Sequence, residues 1–195
     1  MRSFLYVPRR MSPDTKTALL DAAERLFAEH GFAATSLRQI TAAAGANLAA
    51  VNYHFGSKEE LAKAVLARRI APINRERLRR LDDLPRPARL ADVLRAFIEP
   101  ALRHANEPHP ATRDGATESV GQNLCRVFGR MNMEQAPFLR EFLAEQFRAL
   151  EHRFVAMLQE AVPHAAIATL WLRMHFVVGG MAHVLAEFGL EARTR

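Results

Sequence analysis

Residues 35–60 read TSLRQITAAAGANLAAVNYHFGSKEE, and the punctuation of that stretch decides the fold. Leu37, Ile40 and Ala44 recur on one face at helical spacing, so a short helix is expected with Thr35 as its N-cap. Gly45 closes it, and Asn47 is placed to cap a second helix after a turn of about three residues. In that second helix Val51 and Phe55 point inward, and Gly56 stops it. Ser57 and Glu60 then have the spacing of a capping box, opening a longer helix through Leu61, Val65 and Leu66 toward Leu81. Two short helices across a tight glycine turn have helix-turn-helix dimensions. In such a unit the second helix enters the major groove of DNA and the first crosses the backbone.

With Val51 and Phe55 inward, the opposite face presents Ala49, Ala50 and Tyr53, flanked by Asn47, Asn52 and His54. Small side chains let a helix sink into a groove, asparagine can pair with an adenine edge, and alanine methyls can touch thymine methyls. Tyr53, His54, Thr35 and Ser36 suit phosphates. Lys58 stands at a helix N-terminus, where free N–H groups add to the attraction for an anion. The same helical wheel turns Leu48 toward the core.

Outward from this unit the pattern stays helical. Leu19, Ala22, Ala23, Leu26 and Phe27 share one face of a preceding helix that Ser12 and Pro13 start and Gly31 ends. Downstream there is no strand-like alternation of useful length, so an all-α fold is expected. Asp82 to Pro87 reads as a hinge, and Leu90 to His104 as an amphipathic helix. A loop is expected over Asn106 to Gly115. Three helices follow: from about Glu118 to Met133, from a first turn holding Pro137 to Val162, and from Ala165 to Phe188, with Gly189 as a stop. The expected division is a disordered basic arm over 1–13, a helix-turn-helix domain over 14–60, and a helical ligand-binding and dimerisation domain over 61–195.

Charge follows this division. Residues 1–81 hold 14 Lys+Arg against 7 Asp+Glu, a net of +7, and residues 82–195 hold 13 against 14, a net of −1. A basic excess confined to one end is the footprint of a part that faces a polyanion. The single cysteine, Cys125, cannot form an internal disulfide and points to a reducing cytoplasm. A small buried apolar residue is its simpler reading, with a reactive thiol as the alternative. Residues 1–10 lack the apolar core of a secretory signal, and Arg173, His175 and His183 interrupt the most apolar stretch, so no membrane span is expected.

The second half supplies bulky apolar residues in excess of one helix face: Phe138, Leu139, Phe142, Leu143, Phe147, Leu150, Phe154 and Val155. Some face a core and others a ligand or partner. Phe97, Cys125, Phe128, Phe142, Trp171, Met174 and His175 are the candidate lining of a pocket for a hydrophobic small-molecule effector. Gly179 and Gly180 sit in mid-helix, where glycine costs about 1 kcal/mol relative to alanine. Close approach of another helix offsets that cost. With Phe154 and His183 they mark the expected homodimer interface of the last two helices, against the alternative of internal packing. The histidines are not completed into a metal set, so neither a metal nor a cofactor is expected. No phosphate loop, nucleophile elbow or paired-acid constellation suggests an enzyme. The rival to a DNA-binding protein is a helical interaction module that does not touch DNA.

Thr35-Ser36-Leu37-Arg38-Gln39-Ile40, Ala43-Ala44-Gly45, and Val51-Asn52-Tyr53-His54-Phe55 with Gly56-Ser57-Lys58-Glu59-Glu60-Leu61 closely resemble the TetR family of bacterial transcriptional regulators. The resemblance runs from about Asp14 to Arg69, a third of the chain. It implies an all-α homodimer whose N-terminal domains bind a palindromic operator on double-stranded DNA and whose C-terminal domains hold a ligand pocket, a repressor released by its effector. It also implies phosphate contacts at Thr35, Tyr53, His54 and Lys58, and positions at or near base edges for Asn47, Leu48, Ala50 and Asn52. Two residues depart from the pattern: many members carry an aromatic residue in place of Asn52 and a polar one in place of Leu48. The Asn52-to-Phe55 variant and Met174-His175-Phe176 with Gly179 to His183 resemble members that respond to fatty acids or acyl thioesters.

Overall fold

The structure, a computed structural model, describes residues 13–105 and 120–188, with side chains except at 13, 14, 105, 120, 122, 132 and 181–188. The expected arm up to residue 12, the Asn106–Gly115 loop, the side chain of His183 and the Gly189 stop lie outside the described residues. Among the described residues the chain forms helices and no strand. These are α1 Pro13–His30, α2 Leu37–Ala43, α3 Leu48–His54, α4 Lys58–Asp82, α5 Leu90–Ala105, α6 Val120–Met133, α7 Leu139–Ala161 and α8 Ile167–Phe188. The all-α fold is the one the apolar spacing demands.

The caps explain the boundaries. Gly31 ends α1 at φ 87°, in the left-handed region that glycine enters without strain. The N-cap of α2 is Ser36, not Thr35 as expected. Ser36 Oγ accepts from Gln39 N at 3.2 Å, and Gln39 Oε1 accepts from Ser36 N at 2.7 Å, a complete capping box. Thr35 is turned the other way, its hydroxyl donating to Gly31 O at 2.7 Å and facing Leu26 O at 3.2 Å. Asn47 caps α3, its Oδ1 accepting from Ala50 N at 2.9 Å. Ser57 caps α4, accepting from Glu60 N at 3.1 Å, while the Glu60 carboxylate accepts from Lys63 Nζ at 2.8 Å. The expected α4 box is thus half formed. Pro137 precedes α7 rather than standing in its first turn.

Two apolar cores hold these helices together. The first gathers Leu19, Ala23 and Phe27 of α1, Ile40 of α2, Val51 of α3, and Leu61, Val65 and Leu66 of α4. It continues into Val127 and Met131 of α6, and Leu139 and Phe142 of α7. The second joins Leu81 of α4, Val93 and Phe97 of α5, Leu150, Phe154 and Met157 of α7, and Leu170 and Met174 of α8. Helix α4 runs through both. Phe142, expected in a ligand pocket, is instead buried in the first core. Phe154, expected at a dimer interface, is buried in the second, its ring 4.5 Å from that of Phe97.

A polar cluster ties α1, α4 and α6 beside the first core. Glu24 is buried, with Arg69 Nε at 3.0 Å, Asn123 Nδ2 at 2.9 Å, and Arg68 also bound. A buried carboxylate is tolerated only when paired and hydrogen-bonded, and here it is both. At the far end of α6, Glu134 accepts from Ala33 N at 2.8 Å. A Cβ at Gly31 would stand 1.8 Å from Glu134 Oε1, so a larger residue there would push that carboxylate off Ala33 N as well as strain the turn.

Candidate nucleic-acid interface

The short α3 packs by one side against the first core and leaves the other bare. Val51 is fully buried and Ala50 is 3% exposed, while Leu48, Ala49, Asn52 and Tyr53 form the outer face. Tyr53 is 75% exposed and Leu48 45%. Two expectations change. Ala50 belongs to the core rather than to the outer face, and Leu48 faces water rather than the core. The reason is rotation: the inward stripe runs through Ala50, Val51 and the half-buried His54, while Phe55, the C-cap at φ −131°, still packs against the first core as expected. Asn47 is exposed, but its Oδ1 is engaged in the cap.

The expected phosphate contacts divide in the same way. Thr35 is 1% exposed and its hydroxyl is spent on backbone carbonyls, so it cannot reach a phosphate and its role is structural. Ser36 is exposed, with its Oγ committed to the capping box. His54 packs edge-on to Tyr53, and its Nε2 is buried with no partner among the described residues. Lys58 Nζ lies 4.4 Å from the centre of the Phe32 ring and 3.5 Å from Ala33 O. Burial lowers its pKa, partly offset by nearby Glu134. Arg38, on the exposed side of α2, forms no side-chain hydrogen bond or ion pair among the described residues. It was part of the recognised motif but not among the expected contacts, and its place before a buried Ile40 and Thr41 is the signal that could have found it.

None of the residues of this face lines the cavity that lies between α4, α5, α6, α7 and α8. Its volume is about 350 Å³. Five expected pocket residues line it: Phe97, Cys125, Phe128, Met174 and His175. Phe142 does not, and neither does Trp171, which packs against the second core with its ring 6.0 Å from that of His175. Burial pushes the Cys125 thiol up to about 11. Sequence reading missed the α4 contribution, Ile70, Ile73, Asn74 and Arg77. Their spacing, continued to Leu81, is an apolar stripe interrupted by an asparagine and an arginine, and that interruption was readable.

Known proteins agree with this geometry. "Bacterial regulatory proteins, tetR family" matches residues 19–65, and "Tetracyclin repressor-like, C-terminal domain" matches residues 95–194, just over half of the chain. The chain belongs to the TetR family. Among curated relatives, the "HTH-type transcriptional repressor AcnR" of Corynebacterium glutamicum is 30% identical over 91 residues, 47% of this chain and 44% of that protein. The "HTH-type transcriptional repressor NicS" of Pseudomonas putida is 34% identical over 84 residues, 43% of this chain and 40% of that one. Each match thus spans less than half the relative's length. Among solved structures, the fatty acid degradation regulator FadR from Bacillus halodurans superposes with a TM-score of 0.67, covering 96% of this chain and 90% of that chain, at 14% identity. At that identity the likeness shows the fold alone.

Within this TetR-family chain the described residues contain no group of three or more His, Cys, Asp or Glu side chains able to hold a metal. No helix among them is long and apolar enough to cross a membrane. Gly179 and Gly180 are exposed, and a Cβ at either would meet nothing within 4 Å, so among the described residues no helix packs closely on them. Leu172 and Phe176 are exposed on the same helix, at 59% and 72%.

Proposed function

We propose that this TetR-family chain is a transcriptional repressor that binds a palindromic operator as a homodimer and is released by a small molecule with an apolar body. The observation that carries this reading is the bare outer face of α3, where Leu48, Ala49, Asn52 and Tyr53 stand uncovered by the chain's own helices. Residues 14–60 act as the DNA-reading head, and 61–195 as the dimerising and effector-binding part. Leu48 and Ala49 offer methyl contacts to thymine, Asn52 reads a base edge, and Tyr53 and Arg38 meet phosphates. Ser36, Asn47, His54 and Lys58 flank that surface, and rotamer changes at Lys58 and His54 bring their nitrogens to the backbone. The repressor names of AcnR and NicS support the sign of regulation. The work is done in the cytoplasm, beside the chromosome.

The apolar face of α8, with Leu172, Phe176 and the bare Gly179 and Gly180, is the dimer surface, shared with α7; His183 continues it in sequence. The cavity takes the effector. Release follows when the effector prefers a conformation whose two heads are wrongly spaced, by no more than its difference in affinity between the two states. Helices α4 and α6 transmit the change, since both line the cavity and both grip α1 through Glu24. A gel-shift titration against the chain's own upstream region tests the whole. Tight, salt-sensitive binding is expected, and affinity no better than for random DNA would defeat the reading.

A further inference from the structure

The cavity wall is apolar almost throughout, with Leu124, Phe128, Leu143, Phe147 and Met174 on it, yet it contains a buried cation. Arg77 is 3% exposed. Its Nε donates to Phe97 O at 2.8 Å and its Nη1 to Asn74 Oδ1 at 3.1 Å, both neutral acceptors. The guanidinium carbon lies over the Phe97 ring, 4.1 Å from its centre. Asn74 is itself fixed, its Nδ2 donating to Gln146 O at 2.9 Å. The group is therefore locked in one pose by three contacts. Nη2 donates to nothing among the described residues, and no carboxylate among them forms an ion pair with it. Glu151, on the same wall, does not reach it. Burial alone lowers its pKa, to about 10, and no acidic neighbour restores it.

A buried charge without a counter-ion is costly, and an opposite charge arriving from outside would relieve that cost. A planar guanidinium with a free edge matches a carboxylate in geometry as well as sign. Resting on the reading of this cavity as the effector site, we infer that its ligand is an apolar molecule with a carboxylate head seated on Arg77 and a body against Leu124, Phe128 and Phe147. The carboxylate is the shared chemistry; an aliphatic chain and an aromatic ring system are its two sources. Arg77 sits on α4, which continues into the head, so the head group and the DNA-reading unit share one helix.

Calorimetric titration of the purified full-length chain tests this with decanoate against 1-decanol, and 2-naphthoate against naphthalene. In each pair the acid is expected to bind at least about tenfold more tightly than its neutral partner. Arg77→Met is expected to erase that preference, the acid and its neutral partner then binding within about twofold of each other. The wild-type contrast stands alone if that variant fails to fold. Acid and neutral partner binding equally, or no probe binding at all, overturns the carboxylate head. The effector reading fails separately: acid binding through Arg77 that leaves operator affinity unchanged in a gel shift keeps the anion site and defeats release. A neutral molecule found bound by native mass spectrometry does the reverse.

Discussion

Thr35 holds its hydroxyl 2.7 Å from Gly31 O in a place water does not reach, and Tyr53 holds its ring in open solvent. Adjacent parts of one motif thus carry opposite duties, and substitution separates them. Thr35→Val keeps the shape and removes the donor from buried carbonyls. It is expected to cost about 1–2 kcal/mol in urea denaturation while leaving DNA affinity unchanged where the fold is intact. Tyr53→Ala removes an exposed ring, so its stability cost is expected to stay within about 0.5 kcal/mol while operator affinity falls at least about tenfold in a gel shift. A Tyr53→Ala protein that binds the operator normally would mean that α3 does not meet DNA. At Cys125, burial raises the thiol from 9.0 to about 11. The thiolate fraction at pH 8 is then about a hundredfold below that of an ordinary thiol. Maleimide labelling of the native protein should be slower in proportion, and slower still with a ligand in the cavity. Fast labelling would revive the reactive-thiol alternative.

At the scale of the helix, α6 works on two sides. Leu124, Cys125 and Phe128 line the cavity, and Asn123 donates to the buried Glu24 of α1. Asn123→Leu removes that bond from a charged acceptor and is expected to cost about 1.5–3 kcal/mol in chemical denaturation. It should also raise the effector concentration needed to release DNA, because the grip on the head is loosened. An unchanged denaturation midpoint would show that α6 does not hold α1 through this pair. The helices themselves were legible because their boundaries are local chemistry: Ser57, Asn47 and Gly31 announce caps and stops within a few residues. The α2 cap was legible too: Ser36 stands three residues before Gln39, the spacing of a capping box, whereas Thr35 has Arg38 at that place. The inward turn of Thr35 onto Gly31 O is the tertiary fact that sequence does not carry. The α3 face was misrotated for a related reason. Two turns of helix give few apolar residues to centre a wheel on, and Phe55 lies past the last of them. Phe142 and Phe154 show the same limit at longer range. Periodicity says that both are inward, but which of two cores, a ligand or a partner receives them depends on helices far away in the chain.

For the molecule as a whole, the decisive question is whether two heads act together. The basic excess lies in residues 1–81, and one head of this size meets only a half-site. Operator specificity then depends on a rigid partner whose recognition helix sits about 34–36 Å away, one turn of DNA, or a multiple of it. Phe176 is the place to break that link. At 72% exposure it supports little within its own chain, so Phe176→Glu is expected to keep the helical fold, the thermal midpoint falling only by the stabilisation that pairing contributes. It should convert the protein to single chains in sedimentation, since a carboxylate buried against its own copy is repelled and desolvated. Losing the partner removes the effective concentration that linkage provides, and operator affinity is expected to fall at least about a hundredfold. The salt dependence of the residual binding should fall to about half its former slope, because half the phosphate contacts are gone. A variant that stays paired and binds with full affinity would move the interface off α8. One that separates into single chains yet keeps its affinity would defeat cooperative operator binding itself.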